Sequence, residues 1–290
     1  MKIGLVDVDS HNYPNIALMK LSAWHKQHGD TIEWYDGFSH YDRVYMSKVF
    51  DNTYSADDLR VINADEVIQG GTGYGLDNRL PDEIEHIMPD YELYGITDTA
   101  YGFLTRGCPR HCGFCIVGDK EGVISRKVAD LSEFWSGQPN IVLMDANILA
   151  CRDRIDLLAQ LHNSKARIDF NQGLDIRLMN RPIAEMLGRM RIKTLHFAWD
   201  NPHEPLERQF REFAEWYPRK NRGMVYVLTN WKSTMDEDLH RIYTLRDMGY
   251  DPYVMIYDKP HASQQIRRMQ RWCNNKFIFK STKRFEEYKA

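Results

Sequence analysis

The sequence predicts an α/β protein in which a small, mostly parallel sheet domain precedes a partial (β/α)6 barrel. Three observations lead to this fold class. Short apolar strands alternate with apolar residues at helical spacing, the alternation restarts near residue 100 after a stretch without periodicity, and polar side chains follow the later strands. Strands that alternate with helices form parallel sheets with right-handed crossovers.

The first predicted domain spans residues 1–76. A buried strand at 2–8 runs into a polar turn that ends at Pro14. Helical spacing follows up to Gly29, a typical helix-ending residue, with apolar side chains at Ile16, Met19, Leu21 and Trp24. Further strands are predicted at 31–35, 43–46 and 66–69.

Residues 77–100 are predicted as a linker, because Pro81, Pro89 and Gly95 interrupt any periodicity except for a turn or two of helix around 82–88. The second domain then covers 101–290. Its strands are predicted at 101–106, 140–145, 167–171, 194–200, 224–229 and 252–258. Two apolar stripes indicate helices between them, one of Ile183, Met186, Leu187 and Met190 and one of Met235, Leu239, Ile242 and Met248.

Composition excludes several classes of protein. The 290 residues are 43% hydrophobic and 27% charged, with a net charge of −3, which is typical of a globular protein and not of a basic protein that coats nucleic acid. The chain shows neither a signal-peptide pattern at its start nor an apolar run of the roughly 18 residues that a membrane span needs. We therefore expect a cytoplasmic protein without membrane contact, in a compartment that keeps thiols reduced.

Three of the five cysteines, Cys108, Cys112 and Cys115, lie within eight residues at the spacing Cys-x3-Cys-x2-Cys. Three thiolates on one loop can hold three irons of a cubane iron–sulfur cluster and leave the fourth iron open to a small molecule. A structural zinc site would need a fourth ligand, and His111 inside the loop could not easily complete the tetrahedron. A disulfide would leave one cysteine over and lacks a secretory context.

This stretch resembles the cluster motif of the radical S-adenosylmethionine (SAM) superfamily, down to the aromatic Phe114 directly before the third cysteine. The resemblance implies that the three cysteines bind a [4Fe-4S] cluster whose free iron is chelated by the amino and carboxylate groups of SAM. It also implies that an electron donor such as flavodoxin or ferredoxin drives cleavage of SAM to a 5′-deoxyadenosyl radical. The partial (β/α)6 barrel is the fold of that superfamily, with the cluster after the first strand.

Polar residues follow the predicted strands of the second domain, where the active groups of α/β barrels lie. By resemblance, these segments and the aromatic beside the cluster bind SAM. The candidate cofactor-binding residues are Phe114, Asp145, Asn147, Gln172, Asp175, Arg177, Thr229 and Tyr257. The family's Gly-Gly-Glu after the second strand is replaced here by residues 144–147, Met-Asp-Ala-Asn. No residue is assigned to catalysis on the substrate.

Alternatives remain open at some of these positions. Arg177 pairs either with the carboxylate of SAM or with Asp175 in a structural ion pair. His196 and Asp200 share one face of their strand, where His196 either contacts a ligand or is a buried histidine with satisfied hydrogen bonds. Cys151 is interpreted as an inert core residue.

The first domain resembles the Rossmann-like, cobalamin-binding (B12-binding-like) domain that precedes many radical SAM barrels. The family's Asp-x-His-x-x-Gly, Ser-x-Leu and Gly-Gly correspond here to residues 9–14, 47–49 and 70–71. Pro14 replaces the glycine and Val49 the leucine, and the domain is short for a corrin ring, so we expect a lid without bound cobalamin. Glycines 70–75 do not have the spacing of a dinucleotide-binding loop and are interpreted as a turn with positive φ.

A polar substrate of small to medium size is expected between the two domains, because ligands of parallel sheets collect at the carboxyl ends of strands. The candidate substrate contacts are Asp7, Asp9, Ser10, His11, Asn12, Arg106, Arg110, His196 and Asp200. For Asp9, the alternative is a cap on the helix that begins near Pro14.

The stretch from Arg267 to Lys289 interleaves basic and aromatic residues. This pattern is typical of contact with single-stranded nucleic acid. The alternative, which we favour from the sequence alone, is a final helix with a solvated basic face followed by a tail whose aromatics pack on the barrel.

Two function classes therefore remain. The first is a radical SAM enzyme, with cobalamin-dependent methyl transfer as a variant; as a whole the chain resembles a compact family of radical SAM proteins, some from bacterial prophages, whose substrate is unidentified. The second is a non-enzymatic iron–sulfur or metal protein that uses the three cysteines to sense iron or oxygen or to stabilise the fold.

Overall fold

The computed structural model describes residues 1–10, 13–51, 55, 59–219 and 222–289. The chain is an α/β protein with mostly parallel sheets. It divides into two compact units, Met1–Val142 and Leu143–Ala290. The predicted linker at 77–100 lies inside the first unit. Among the described residues, no helix has the length and apolar character needed to cross a membrane.

The first unit begins with the predicted parallel sheet. Its elements are β1 (Lys2–Asp7), α1 (Ile16–Gln27), β2 (Thr31–Trp34), β3 (Tyr41–Ser47) and β4 (Ala64–Gly70). All pairs in the order β2-β1-β3-β4 are parallel, which brings the carboxyl ends of β1, β3 and β4 to one edge.

Helix α1 is capped by Asn15, whose side-chain oxygen accepts the Leu18 amide at 3.3 Å. The capping role considered for Asp9 is therefore wrong. The chain leaves the helix through Gly29, whose φ of +79° is strained for residues with a Cβ.

Residues of the predicted linker pack onto this sheet. They form α2 (Asp82–Glu85) and a 3-10 turn at Tyr91–Tyr94, as the proline-rich pattern allows. Ile84 is buried in the same apolar cluster as Ile3 and Leu5 of β1, and the Ser22 hydroxyl of α1 donates to Asp90 at 2.6 Å. The segment is thus part of the core of the first unit.

The predicted strand at 101–106 is interrupted. It consists of β5 (Thr99–Gly102) and β6 (Thr105–Arg106), and the unit continues with α3 (Val117–Glu121), β7 (Arg126–Lys127) and β8 (Asn140–Leu143), in which the division between the units falls. The interruption at 103–104 occurs because β6 turns away to pair antiparallel with β7. The cysteine loop therefore lies inside a hairpin.

The second unit alternates strands and helices as the sequence predicts. Its elements are α4 (Arg154–Ser164), β9 (Arg167–Phe170), α5 (Arg181–Arg189), β10 (Arg191–Ile192), β11 (His196–Ala198), α6 (Glu207–Trp216), β12 (Met224–Thr229), α7 (Met235–Asp247), β13 (Asp251–Ile256), α8 (Gln264–Asn274) and α9 (Lys276–Ser281). Strands β9 and β10 pair in parallel, and β11, β12 and β13 form a parallel sheet in that order.

The helices of the second unit bury the apolar stripes that the sequence predicts. Ile183 and Leu187 of α5 and Leu239 and Ile242 of α7 are all buried, as their spacing predicts. Helix α7 begins with a capping box between Thr234 and Glu237.

Candidate functional site

The loop that carries the three cysteines is closed at its base by Glu121, the last residue of α3. One carboxylate oxygen of Glu121 accepts the Gly107 amide at 3.0 Å and the other accepts the Arg106 guanidinium at 2.7 Å. The Cys108 amide donates to the Gly122 carbonyl at 3.1 Å. We call these contacts the loop base; they hold the chain immediately before Cys108 against the end of α3.

Gly107 is required at this point. Its φ is +92°, and a Cβ there would lie 2.2 Å from the Ile124 carbonyl oxygen. No L-residue fits such a position without moving the backbone. The Arg-Gly that precedes the cysteine motif is thus explained by the geometry of the loop base.

Within the loop, Cys112 and Cys115 bracket a tight turn, in which the Cys115 amide donates to the Cys112 carbonyl at 2.9 Å. Cys108 and Cys112 are half-buried and Cys115 is exposed. Phe114, between them, is half-buried. Thiols at this degree of exposure can be reached by iron and sulfide.

The other two cysteines differ sharply. Cys151 is fully buried, and Cys273 is 3% exposed with its thiol donating to the Pro252 carbonyl at 3.4 Å. Burial raises the pKa of Cys273 to about 12, so the thiolate that binds metals is disfavoured there. Both are core residues, as interpreted for Cys151.

The three loop cysteines fit an iron–sulfur cluster by donor chemistry, since thiolates on one accessible loop are its usual ligands. Their side chains are not drawn together as a ligand set: no group of three or more His, Cys, Asp or Glu side chains among the described residues has the geometry to hold a metal ion. The fit of these residues to a cluster is therefore one of donor chemistry and not of side-chain geometry.

The edge of the first sheet holds the candidate substrate residues of the N-terminal turn. Asp7 accepts the Ser10 amide at 3.1 Å and the Tyr94 hydroxyl at 2.7 Å, and the pKa of Tyr94 is raised by burial and by this hydrogen bond. Asp9 is 2% exposed and accepts the amides of Val49 (2.7 Å) and Phe50 (2.9 Å). His11 and Asn12, the other candidates of this turn, lie outside the described residues.

The glycine stretch after β4 packs closely on the chain after β3. Gly71 has a φ of +92°, as the sequence predicts, and a Cβ on it would lie 2.3 Å from the Lys48 carbonyl oxygen. A Cβ on Gly73 would lie 2.2 Å from the Phe50 carbonyl oxygen. These glycines serve close backbone packing.

Two basic residues link the cysteine loop to this glycine stretch. Lys120 of α3 donates to the Thr72 hydroxyl, and Arg79 donates to the Lys120 carbonyl. Burial lowers the pKa of Lys120.

Two candidate basic residues lie in or beside the cysteine loop. Arg106 belongs to the loop base, and its guanidinium lies over the Phe103 ring, 3.4 Å from the ring centroid. Arg110 is half-buried within the loop.

In the second unit, three candidate residues and one unforeseen residue form a connected polar row. The Asn147 amide donates to Asp175 at 3.1 Å, and Arg177 binds Asp175 at 2.6 Å. Arg177 also binds Glu204 at 2.8 Å. The structural ion pair considered for Arg177 is therefore present. Asp145 is buried, whereas Gln172 is exposed.

His196 is a buried histidine of β11 with partners. Its Nδ1 lies 3.2 Å from the Phe170 carbonyl oxygen and 3.5 Å from Asp169, and its ring stacks on Tyr226. This environment accounts for its position without a ligand. The opposite face of the strand buries Phe197 in the aromatic core, as the alternation predicts.

Asp200, just beyond β11, lies in a desolvated position beside two guanidinium groups. Burial raises its pKa to about 6, although Arg241 and Arg177 oppose the shift. Arg241 of α7 is itself buried and donates to the carbonyls of Trp199 (2.6 Å), Asp200 (3.0 Å) and Leu228 (2.9 Å). A guanidinium thus fastens the ends of β11 and β12 together.

The remaining candidates follow β12 and β13. Thr229 is fully buried and its hydroxyl donates to the Met255 carbonyl at 3.3 Å. Asn230, with a φ of +64°, donates to the Tyr257 carbonyl at 2.9 Å, and the partly exposed Tyr257 ring packs on Trp231 at 4.4 Å. Tyr257 is the candidate of this pair with an accessible surface.

Sequence reasoning missed Glu121, Glu204 and Arg241. Glu121 and Glu204 are single carboxylates in polar segments and carry no pattern of their own. Arg241 could have been found, because it stands within the apolar stripe of α7 between Leu239 and Ile242, together with buried Asp238 three residues earlier. A charged pair inside an apolar stripe indicates a buried network.

No protein-family model matches this chain, and no curated protein matches it. The functional interpretation therefore depends on the chemistry of its own residues.

Proposed function

We propose that this protein is a radical SAM enzyme, in which Cys108, Cys112 and Cys115 hold a [4Fe-4S] cluster. The observation that carries the proposal is the separation of the cysteines into two classes. The three that match the motif share one accessible loop with a fixed base, while Cys151 and Cys273 are buried. A protein that needed cysteines only for packing would have no reason to gather three on such a loop.

The polar row of the second unit supports the same proposal. Asp175 and Glu204 bind the guanidinium of Arg177, and Asp200 lies beside Arg177 and Arg241. With Asp145, which is buried two residues before Asn147, these segments hold four acidic groups and two guanidinium groups. Such an environment favours a ligand with positive charge, and SAM carries both a sulfonium and an ammonium group. When bound, SAM supplies the 5′-deoxyadenosyl group and the cluster supplies the electron.

The proposal has structural and cellular corollaries. The parallel strands would belong to a partial (β/α)6 barrel, with an N-terminal lid derived from a cobalamin-binding-like domain. We expect a cytoplasmic protein, because open iron–sulfur clusters need a reducing compartment. We also expect an electron donor of the flavodoxin or ferredoxin type and a polar substrate of small to medium size.

The test is SAM cleavage. The protein is purified without oxygen, reconstituted with iron and sulfide, reduced with dithionite and given SAM. We expect about four irons per chain, a brown absorbance and formation of 5′-deoxyadenosine.

Matched cysteine variants complete the test. Alanine at Cys108, Cys112 or Cys115 should abolish cleavage, whereas Cys151→Ala should retain the cluster. A triple loop variant that kept its brown absorbance and its iron would overturn the assignment. A cluster that forms without any SAM cleavage would favour the non-enzymatic sensor instead.

A further inference from the structure

The C-terminal segment has a charge opposite to that of the rest of the chain. Residues 264–289 contain eight Lys or Arg and two Asp or Glu, which gives the segment a net charge of +6. Because the whole chain has a net charge of −3, the residues outside this segment have a net charge of −9. Such asymmetry indicates an anionic partner for the segment. The contacts that these basic side chains make within the fold decide which of them can bind such a partner.

The helices of this segment form a tight corner. Asn275 ends α8 and caps α9, where its side-chain oxygen accepts the Phe277 and Ile278 amides. Trp272 of α8 is buried and contacts the Phe279 ring at 4.8 Å. The corner is therefore a fixed part of the second unit, as the alternative interpretation of the sequence holds.

One aromatic residue does not take part in this packing. Phe277 is 88% exposed, while Trp272, Phe285 and Tyr288 are buried. Phe277 and Lys280 stand three residues apart on α9 and so share a face of that helix. An exposed phenylalanine beside a lysine offers an apolar ring face with a cation next to it.

The basic residues of the segment also fall into two groups, those that contact the rest of the fold and those that do not. Arg268 lies over the Phe285 ring, Arg267 donates to the Pro260 carbonyl, and Arg284 lies over the Tyr243 ring. No side-chain hydrogen bond or ion pair with another described residue engages the exposed cations Arg271, Lys280 and Lys283. We call Arg271, Phe277, Lys280 and Lys283 the C-terminal basic patch.

We propose that the C-terminal basic patch binds single-stranded nucleic acid. Cations that the fold leaves unused can pair with successive phosphates, and an exposed ring can stack on an unpaired base. A membrane surface fits less well, because binding in the interface needs a broad apolar helix face and the apolar side chains around Phe277 are largely packed inward. The inference is independent of the cysteine loop.

Fluorescence anisotropy with labelled 15-nucleotide oligo-dT and oligo-U tests the proposal on the full chain. We expect binding that weakens steeply with salt, and a triple variant Arg271→Ala, Lys280→Ala, Lys283→Ala whose slope of log K against log salt is shallower by about two, at roughly 0.7 per lost phosphate contact. Phe277→Ala should weaken binding about five- to 150-fold, the range for loss of one stacked base.

The chain offers matched controls for both changes. Arg181, Arg208 and Arg211 are exposed cations of the same unit, and Phe38 is an exposed phenylalanine of the first unit. Alanine at these positions should leave the affinity unchanged. Equal losses in the control and patch variants, no oligonucleotide binding by the wild type, or binding only to anionic phosphatidylserine vesicles would overturn the proposal.

Discussion

The Glu121 carboxylate accepts the backbone amide of Gly107 at 3.0 Å, across the base of the loop that carries the cysteines. The same carboxylate binds the Arg106 guanidinium, so one side chain holds both the charge and the backbone that precede Cys108. The loop is thus held at its base, and the other two cysteines lie further along it.

We predict that Glu121→Ala lowers the free energy of unfolding by about 2–3 kcal/mol, because two charge-assisted hydrogen bonds to its carboxylate are lost at a half-buried position. It should also reduce the iron retained after reconstitution. Urea denaturation of the cluster-free protein and iron analysis measure the two effects. Asp119→Ala, an exposed carboxylate on the same helix, is the control; equal effects of the two variants would contradict the assigned role of Glu121.

Alkylation should separate the cysteines into the two classes seen in the structure. In the cluster-free native protein at pH 8, we expect iodoacetamide to label Cys108, Cys112 and Cys115 and to spare Cys151 and Cys273, whose thiols are buried. Mass spectrometry of the digested protein gives the sites. Rapid labelling of Cys273 in the native protein would contradict the burial of its thiol.

Asp9→Ala should cost about 2–4 kcal/mol of stability, more than the roughly 1 kcal/mol of a lost helix cap, because two backbone amides lose a buried carboxylate. Thermal or urea unfolding measures the change, with the exposed Asp65→Ala as control. If Asp9 also contacts substrate, turnover should fall while uncoupled SAM cleavage continues. A loss near 1 kcal/mol would show that the two amides contribute little.

Asp200 should make stability fall as the pH rises from about 4 to 6. Its folded pKa of about 6 lies above the usual value, so the folded protein binds the proton more tightly than the unfolded chain does in that range. The loss is on the order of 2–3 kcal/mol and levels off above pH 7. Urea unfolding of wild type and Asp200→Asn across pH 4–8 measures it; parallel curves for the two proteins would rule it out.

The first domain should not bind cobalamin. The carboxylate of Asp9 is engaged by amides, Pro14 stands where the cobalamin-binding family has glycine, and Gly71 and Gly73 lie against backbone. Equilibrium dialysis with hydroxocobalamin at micromolar protein checks this. Tight stoichiometric binding would instead make methyl transfer the leading reaction.

The parallel sheet of the first unit and the helices of the second could be predicted because apolar periodicity is a local signal. Ile183 and Leu187 fall on one helix face whatever else the chain does. The hairpin around the cysteines could not, since the pairing of Arg106 with Arg126 joins segments that have no shared pattern. The spacing of the three loop cysteines is also a local signal, and the cluster that it predicts stays a prediction.

The partners of the charged side chains were the least predictable part of the candidate site. The sequence placed Arg177 near Asp175 but gave no sign of Glu204, which lies 27 residues further on and meets the other side of the guanidinium. Likewise Asp9 looked like a helix cap from its position before Pro14, and its carboxylate instead reaches amides 40 residues away. Such contacts depend on how the chain returns to the sheet, which local patterns do not encode.

The packing of residues 82–94 onto the first sheet sets the size of the smallest stable piece of the N-terminal region. Ile84 fills the apolar cluster of Ile3 and Leu5, and the Tyr94 hydroxyl binds Asp7 at the end of β1. A fragment that stopped at residue 76 would expose that cluster to water and leave the Asp7 carboxylate without its phenol partner. During synthesis on the ribosome, the sheet can therefore complete its core only after Tyr94 has left the exit tunnel, shortly before the cysteine loop follows.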